Sequence, residues 1–213
     1  MKSETPQKGG IPARRRAVHL LDQILGEGRL MAELVGAGVL ESLDPPDRAR
    51  AQRLAFDTLR GLERADRVLQ KHLKKVPPLM VQNALRMGTV ELCQGGAAHG
   101  VVNDLVNIVG QHKRYARHKG LVNAVLRKVS DTGLAHWQSL RVPRLPKWLR
   151  APLVDAWGAE AVAAMEAVQF AGAPLDLSAK ADPAAVAAMV GGTVLPTGSV
   201  RVSEVGQVSG LSG

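Results

Sequence analysis

The sequence is poor in cysteine and in aromatic residues, and it lacks a long apolar run. Its single cysteine, Cys93, excludes an intramolecular disulfide and a cysteine-based zinc cluster. Such cysteine usage is typical of a reducing compartment, so we expect a cytoplasmic protein. No stretch of about 18 apolar residues is present, which argues against a membrane role. Three Trp, two Phe and one Tyr provide few side chains for stacking interactions.

Motifs that mark common active sites are also missing. There is no Gly-x-Ser-x-Gly elbow and no phosphate-binding loop, and the pairs Gly95-Gly96 and Gly191-Gly192 are better explained as turns. The six histidines are not paired with carboxylates at metal-ligand spacing, so we predict no metal site. Cys93 lies in an apolar stretch and is expected to be buried rather than reactive. The chain by itself should therefore be catalytically inert and hold no cofactor.

What the sequence has in excess is positive charge. The 213 residues carry 28 Lys and Arg against 19 Asp and Glu, a formal net charge of +9. Residues 1–150 hold 26 of the basic and 13 of the acidic side chains, whereas residues 151–213 hold 2 and 6. A basic body of this size attracts polyanions, of which nucleic acid is the commonest in the cytoplasm. The alternative is a basic surface without a function.

Apolar residues recur with a helical period through most of the chain. We expect a mainly α-helical protein, in which residues 1–12 form a flexible arm, residues 13–140 a helical bundle and residues 141–172 a helical connector. Separate shorter helices are predicted around Trp137 and from Pro146 to Phe170. In residues 173–213, two segments alternate as strands do, 175–179 and 199–205, with an Ala-rich helix from Pro183 to Val190 between them. This last part predicts the incomplete start of a small α/β domain, because one strand, helix and strand cannot bury both faces of a sheet.

Two clusters of cations are candidate nucleic-acid contacts. Three consecutive arginines stand at a helix start, where positive charge opposes the helix dipole, so their placement calls for an anionic partner such as RNA phosphate. A second run of basic residues, from His112 to Lys119, precedes the helix predicted around residues 121–129. Its tyrosine is available for stacking on an unpaired base, and two cations inside the following helix extend the same surface. For the arginines the alternative is a solvated arm, and for the second run it is a solvated loop. A third cluster, formed by Lys71, Lys74 and Lys75, is predicted to lie on the surface without a binding role. The candidate RNA-binding residues are Arg14, Arg15, Arg16, Lys113, Arg114, Tyr115, Arg117, Lys119, Arg127 and Lys128.

Four stretches together resemble one known family. The segments ARRRAVHLLDQIL (13–25), LAFDTLRGLERADRVL (54–69) and NALRMGTVELCQGGAAHGVVNDLVNIV (83–109) are similar to NusB-type RNA-binding domains, and GLVNAVLR (120–127) matches a signature of that family. The segment LPKWLRAPLVDAWGAEAV (145–162) resembles the connection found when such a domain precedes a 16S rRNA cytosine-C5 methyltransferase of the RsmB (Sun) type.

This resemblance implies the function that we expect. The chain would be the RNA-docking N-terminal region of an enzyme that uses S-adenosylmethionine (SAM), with 16S rRNA as partner and the catalytic domain absent from this chain. Its single cysteine cannot supply the two that the family uses. A NusB-like transcription antitermination factor, which binds RNA with a protein partner, is the alternative. A helical interaction module without an RNA function is a third hypothesis.

Overall fold

The computed structural model describes residues 10–180 and 182–202, which form two compact units, one up to Lys147 and the other from Trp148. These residues are mainly α-helical, which confirms the predicted fold class. No helix among them is long and apolar enough to cross a membrane. The proposed arm lies largely outside the described residues, and its last two, Ile11 and Pro12, already belong to the first helix.

From residue 10 onward, the first unit is a bundle of seven α-helices with one short 3-10 turn at Ala116–His118. The helices are α1 (Ile11–Glu27), α2 (Met31–Gly36), α3 (Pro45–Arg60), α4 (Leu62–Gln70), α5 (Leu79–Cys93), α6 (Ala98–Gly110) and α7 (Lys119–Ser139).

Proline and glycine set several of the helix ends. Pro12 lies in the first turn of α1, where a missing N–H costs nothing, and Gly28 ends this helix in the left-handed region at φ 70°. Helix α3 begins at Pro45, and the side chain of the preceding Asp44 makes no capping hydrogen bond. The prolines at the start of α3 are therefore its main signal.

The last bundle helix is longer than the sequence pattern predicts. The separate helix expected around Trp137 is wrong, because α7 runs without interruption to Ser139. Gly133 lies inside this helix, where an added Cβ would be 2.8 Å from Cγ1 of Val129 on the preceding turn and at an ordinary contact distance of 3.6 Å from Cγ1 of Val68 on α4. A single glycine weakens a helix but does not by itself end it.

Helix α5 is the centre of the bundle and packs against α1, α3, α4, α6 and α7. Most of its residues are buried, including the polar Asn83 and Thr89. At Gly88, an added Cβ would lie 2.7 Å from Cδ1 of Leu105 on α6 and 2.8 Å from Cδ2 of Leu126 on α7. The absence of a side chain at this position allows the three helices to approach each other.

The second unit contains α8 (Lys147–Trp157), α9 (Ala159–Ala171), β1 (Leu175–Ser178), α10 (Pro183–Val190), β2 (Thr193–Val194) and β3 (Ser199–Val202). The predicted helix from Pro146 to Phe170 is two helices, joined by an ion pair between Nε of Arg150 and Oε1 of Glu166 at 2.9 Å. Gly158, at φ 82°, separates them.

The strands form an antiparallel sheet in the order β1-β3-β2. The two-residue β2 is absent from the sequence prediction because it is too short to show alternation. Val200 and Val202 are buried on one face of β3, whereas Arg201 on the other face pairs with Asp176 across the strands, Nε to Oδ1 at 2.7 Å. Residues 203–205 of the predicted last strand lie outside the described residues.

Candidate nucleic-acid interface

The first of the three consecutive arginines does not lie on the surface. Arg14 is 5% exposed, and its guanidinium binds Glu91 on α5 through two hydrogen bonds, Nε to Oε2 at 2.8 Å and Nη2 to Oε1 at 2.5 Å. Its Nη1 donates to Asp104 on α6. Arg50 on α3 adds a longer contact to Glu91, 3.4 Å from Nη2 to Oε1. Carboxylates of the protein therefore balance the positive charge of Arg14 at this helix start. We remove Arg14 from the candidate RNA contacts.

The next two arginines face outward. Arg15 is exposed, and its Nη2 donates to the side-chain oxygen of Gln111, which directly follows α6. Arg16 is half-buried and donates through Nη2 to Oγ of Ser42 at 2.9 Å. Because Gln111 adjoins His112, the hydrogen bond from Arg15 brings the two cationic clusters of the sequence to one surface.

The segment between α6 and α7 presents its charges to solvent. Lys113, Arg114, Arg117 and Lys119 are exposed. Tyr115 is half-buried and stacked on the ring of His112, with 4.6 Å between ring centroids, and Cζ of Arg114 lies 5.6 Å from the tyrosine centroid. The tyrosine ring is thus engaged by neighbours within the protein and is not a free stacking platform.

The two cations on α7 point to different surroundings. Nε of Arg127 donates to Oδ1 of Asn123 at 3.1 Å, one turn earlier on the same helix. Lys128 instead lies towards the end of α4, where its charge acts on His72. Burial lowers the pKa of His72, and the positive charges of Lys128 and Lys71 lower it further. Lys128 therefore belongs with Lys71 rather than with Arg127.

Three adjoining clefts form a groove along α1, α6 and α7. The first, of about 600 Å³, and the second, of about 570 Å³, share Gln111 in their walls. The second and the third, of about 270 Å³, share Asn123. We call the three together the α1–α7 groove. Its cationic side chains are Arg15, Arg16, Lys119 and Arg127.

The groove also contains residues that the sequence pattern did not indicate. Asp22 lines the first cleft, Asn107 the second, and His99 and Asn103 the third. Burial raises the pKa of Asp22, opposed by a hydrogen bond from Asn83 and by His19 and His112. Only a short helical spacing to His19, which is three residues earlier, could have drawn attention to Asp22 in the sequence.

Cys93 fits the predicted buried position. Its side chain is 8% exposed, and burial raises the pKa of the thiol to about 11. A nucleophilic cysteine needs the opposite shift. Among residues 10–180 and 182–202, no three His, Cys, Asp or Glu side chains are placed to hold a metal ion.

Comparisons with known proteins agree with this architecture. A chain in the crystal structure of a plectonemic RNA supercoil superimposes with a TM-score of 0.54 and 24% sequence identity, over 60% of this chain and 98% of that chain, which shows a shared fold. No curated protein sequence matches. The profile of the NusB family matches residues 11–131, which comprise α1 to α6 and most of α7. This protein therefore belongs to the NusB family.

Proposed function

We propose that the helical unit binds RNA along the α1–α7 groove. The observation that carries this proposal is the hydrogen bond from Arg15 to Gln111, which joins α1 to the segment that begins at His112. Charges that are far apart in the sequence thereby line one path, as contact with successive phosphates of a strand requires. Membership of the NusB family and the excess of basic residues support the same partner.

The proposed contact set differs from the sequence-based one. Arg14 is left out because it is buried in ion pairs, Tyr115 because its ring is stacked on His112, and Lys128 because it lies beside His72. Side-chain amides in the groove add hydrogen-bonding groups that can reach base edges. The proposed RNA contacts are Arg15, Arg16, Lys113, Arg114, Arg117, Lys119 and Arg127.

The parent protein that we propose is an RsmB-like SAM-dependent rRNA (cytosine-C5) methyltransferase, in which this region holds 16S rRNA for a catalytic domain. Support comes from the resemblance of residues 145–162 to the connector of those enzymes and from the small α/β unit that follows, β1-α10-β2-β3. A docking region that positions the substrate contributes to the rate by fixing the target near the reacting groups.

The glycine pairs and the cysteine in the described part of the chain do not fit SAM or the methyl transfer itself. Gly96 follows the end of α5 and donates its N–H to the carbonyl of Glu91, and Gly191 ends α10 at φ 64°. Both glycine pairs thus lie at the C-terminal ends of helices, whereas a cofactor loop precedes the N-terminus of a helix. The high pKa of Cys93 leaves its thiol protonated at neutral pH. We therefore derive no catalytic step for this chain.

A salt series with a labelled 16S rRNA fragment tests RNA binding. Affinity should fall steeply with salt, and Arg15→Glu should weaken binding roughly tenfold and reduce the salt slope by about 1. Arg53→Glu is the matched control, because Arg53 is an exposed residue of α3 outside the groove and the charge change is the same. An affinity that does not depend on salt, or equal losses in both variants, would contradict the groove assignment.

The gene tests the identity of the parent protein. An open reading frame that continues past codon 213 into a SAM-binding loop and a Pro-Cys motif would support the methyltransferase. A stop codon directly after codon 213 would favour the antitermination factor instead.

A further inference from the structure

The first cleft of the α1–α7 groove combines an apolar floor with a polar rim. It lies between α1, the start of α5 and the end of α6, and its volume of about 600 Å³ is within the range of small-molecule sites. Val18 and Ile108 are buried beneath it. Arg15, Arg16 and His112 border it. Such a cleft can accept a flat apolar group whose attached anion stays at the edge.

The carboxylate of Asp22 lines this cleft, and a hydrogen bond from a buried residue fixes its orientation. Oδ1 of Asp22 accepts a hydrogen bond from Nδ2 of Asn83 at 2.7 Å. Asn83 is completely buried, and its own Oδ1 accepts from Nη1 of Arg86 at 3.1 Å. Arg86 is in turn held by Asp66, Nε to Oδ1 at 2.7 Å and Nη2 to Oδ2 at 2.8 Å. Because Arg86 requires an acceptor, the amide nitrogen of Asn83 must face Asp22.

With these hydrogen bonds made, the carboxylate of Asp22 can still accept others. Within the described part of the chain, Oδ2 of Asp22 receives no hydrogen bond. Asp22 is half-buried, so its second oxygen still reaches water, and a ligand with N–H donors can replace that water with directed hydrogen bonds. Burial also raises the pKa of Asp22, in keeping with a carboxylate that has lost part of its water shell.

The nucleobases differ in the donors that they could offer. Guanine carries two adjacent donors on its Watson–Crick edge, N1–H and the N2 amino group. Adenine places the acceptor N1 beside its amino group, and cytosine places the acceptor N3 beside its own, so each would direct a lone pair at the carboxylate. Uracil has a single N–H between two carbonyl groups. An ionised carboxylate, which only accepts, is therefore matched best by guanine.

We propose that the first cleft binds an unpaired guanine base of the RNA, with Asp22 accepting hydrogen bonds from N1–H and the N2 amino group. The base packs on the apolar floor, and its phosphate lies at the rim near Arg15 and Arg16. This inference rests on the proposed RNA-binding function and adds base selectivity to it. Single-stranded RNA is the form that offers such a base, because an unstacked base can enter a pocket with its edge exposed.

Binding of mononucleotides to the full 213-residue chain tests the cleft without RNA. GMP and AMP are titrated while the ring signals of His19 and His112 are followed by NMR. We expect GMP to bind at least roughly tenfold more tightly than AMP, as a bidentate base contact provides. Equal affinity for GMP and AMP overturns the proposal. Binding of arginine amide in place of GMP also overturns it, because the cleft would then accept a cationic side chain.

A change of specificity tests Asp22 directly. In Asp22→Asn the amide can keep the contact to Asn83 through its oxygen and present an N–H to the cleft. This donor opposes the N2 amino group of guanine and matches the O2 carbonyl of xanthine. We expect a loss of roughly tenfold for GMP and a gain for xanthosine monophosphate, which an unfolded variant could not show. Asp155→Asn, an equal charge change at an exposed residue of α8 outside the groove, should alter neither.

Two oligonucleotides separate this inference from the function on which it rests. The wild-type chain should prefer UUUUGUUU to UUUUAUUU, and Arg15→Glu should weaken both equally. Equal binding of the two oligonucleotides by the wild type would overturn the guanine site and leave RNA binding intact. Preference for GMP with no binding of either oligonucleotide would retain the nucleotide site and overturn the RNA-docking function.

Discussion

The guanidinium of Arg14 binds the carboxylate of Glu91 through two hydrogen bonds of 2.8 and 2.5 Å, and this ion pair connects α1 with α5 in the core of the bundle. Asp104 and Arg50 extend the contact to α6 and α3. Two cations and two carboxylates thus balance each other at the point where four helices meet.

We expect Arg14→Gln to destabilise the fold strongly, because Asp104 would lose its cation and Glu91 would keep only the longer contact to Arg50. The free energy of unfolding should fall by about 3–5 kcal/mol. Urea unfolding followed by circular dichroism measures this loss. Arg15→Gln, at the exposed neighbour, is the control and should change stability by less than about 0.5 kcal/mol. Similar values for the two variants would contradict a structural role for Arg14.

The different directions of Arg127 and Lys128 predict different effects of charge reversal. Arg127→Glu should weaken RNA binding roughly tenfold, because Arg127 lines the third cleft, whereas Lys128→Glu should change it less than about twofold. Lys128→Glu should instead raise the pKa of His72, since the charge of Lys128 now lowers it. An NMR pH titration of the imidazole gives this value. A larger shift of the His72 pKa in Arg127→Glu would contradict the assignment.

Two glycines on neighbouring helices should respond in opposite ways to an added methyl group. Gly88→Ala forces a Cβ to within 2.7 Å of Leu105 and should cost about 1–3 kcal/mol of stability. Gly100→Ala has open space around it in α6 and should add about 0.5–1 kcal/mol, because alanine restricts the unfolded chain and favours helix. Thermal unfolding of both variants provides the comparison, and a stable Gly88→Ala variant would refute the close packing.

Cys93 should be nearly inert in the folded protein. With a pKa of about 11, only about one thiol in a thousand is ionised at pH 8, and the side chain is buried as well. Iodoacetamide labelling at pH 8, followed by mass spectrometry, should be far slower for the native chain than for the chain in urea. Rapid labelling of the native protein would show that the thiol is accessible.

The helical architecture could be predicted from local patterns. Apolar periodicity identified the bundle, and Pro45 and Gly28 lie at helix ends that single-residue preferences explain. The exceptions have local causes too. Gly133 lies inside α7 and does not end it, because a single glycine only weakens a helix, and β2 has two residues, too few to show alternation.

The candidate site was less predictable, because its determinants are distant in the sequence. Arg14 meets Glu91 and Asp104 across separations of 77 and 90 residues, so nothing near it indicated burial. Asp22 depends in the same way on Asn83, 61 residues away. Composition and charge runs predicted the partner class and several surface cations, whereas tertiary packing decides which of the cations face the groove.

The inward position of Arg14 also affects how the arginine triplet should be studied. Successive residues of a helix point about 100° apart, so the three consecutive arginines include one buried residue that stabilises the bundle and two that face outward. Replacing the whole block would collapse the scaffold, and the resulting failure to retain a ligand would be mistaken for a lost recognition residue. Variants confined to Arg15 and Arg16 avoid this confusion.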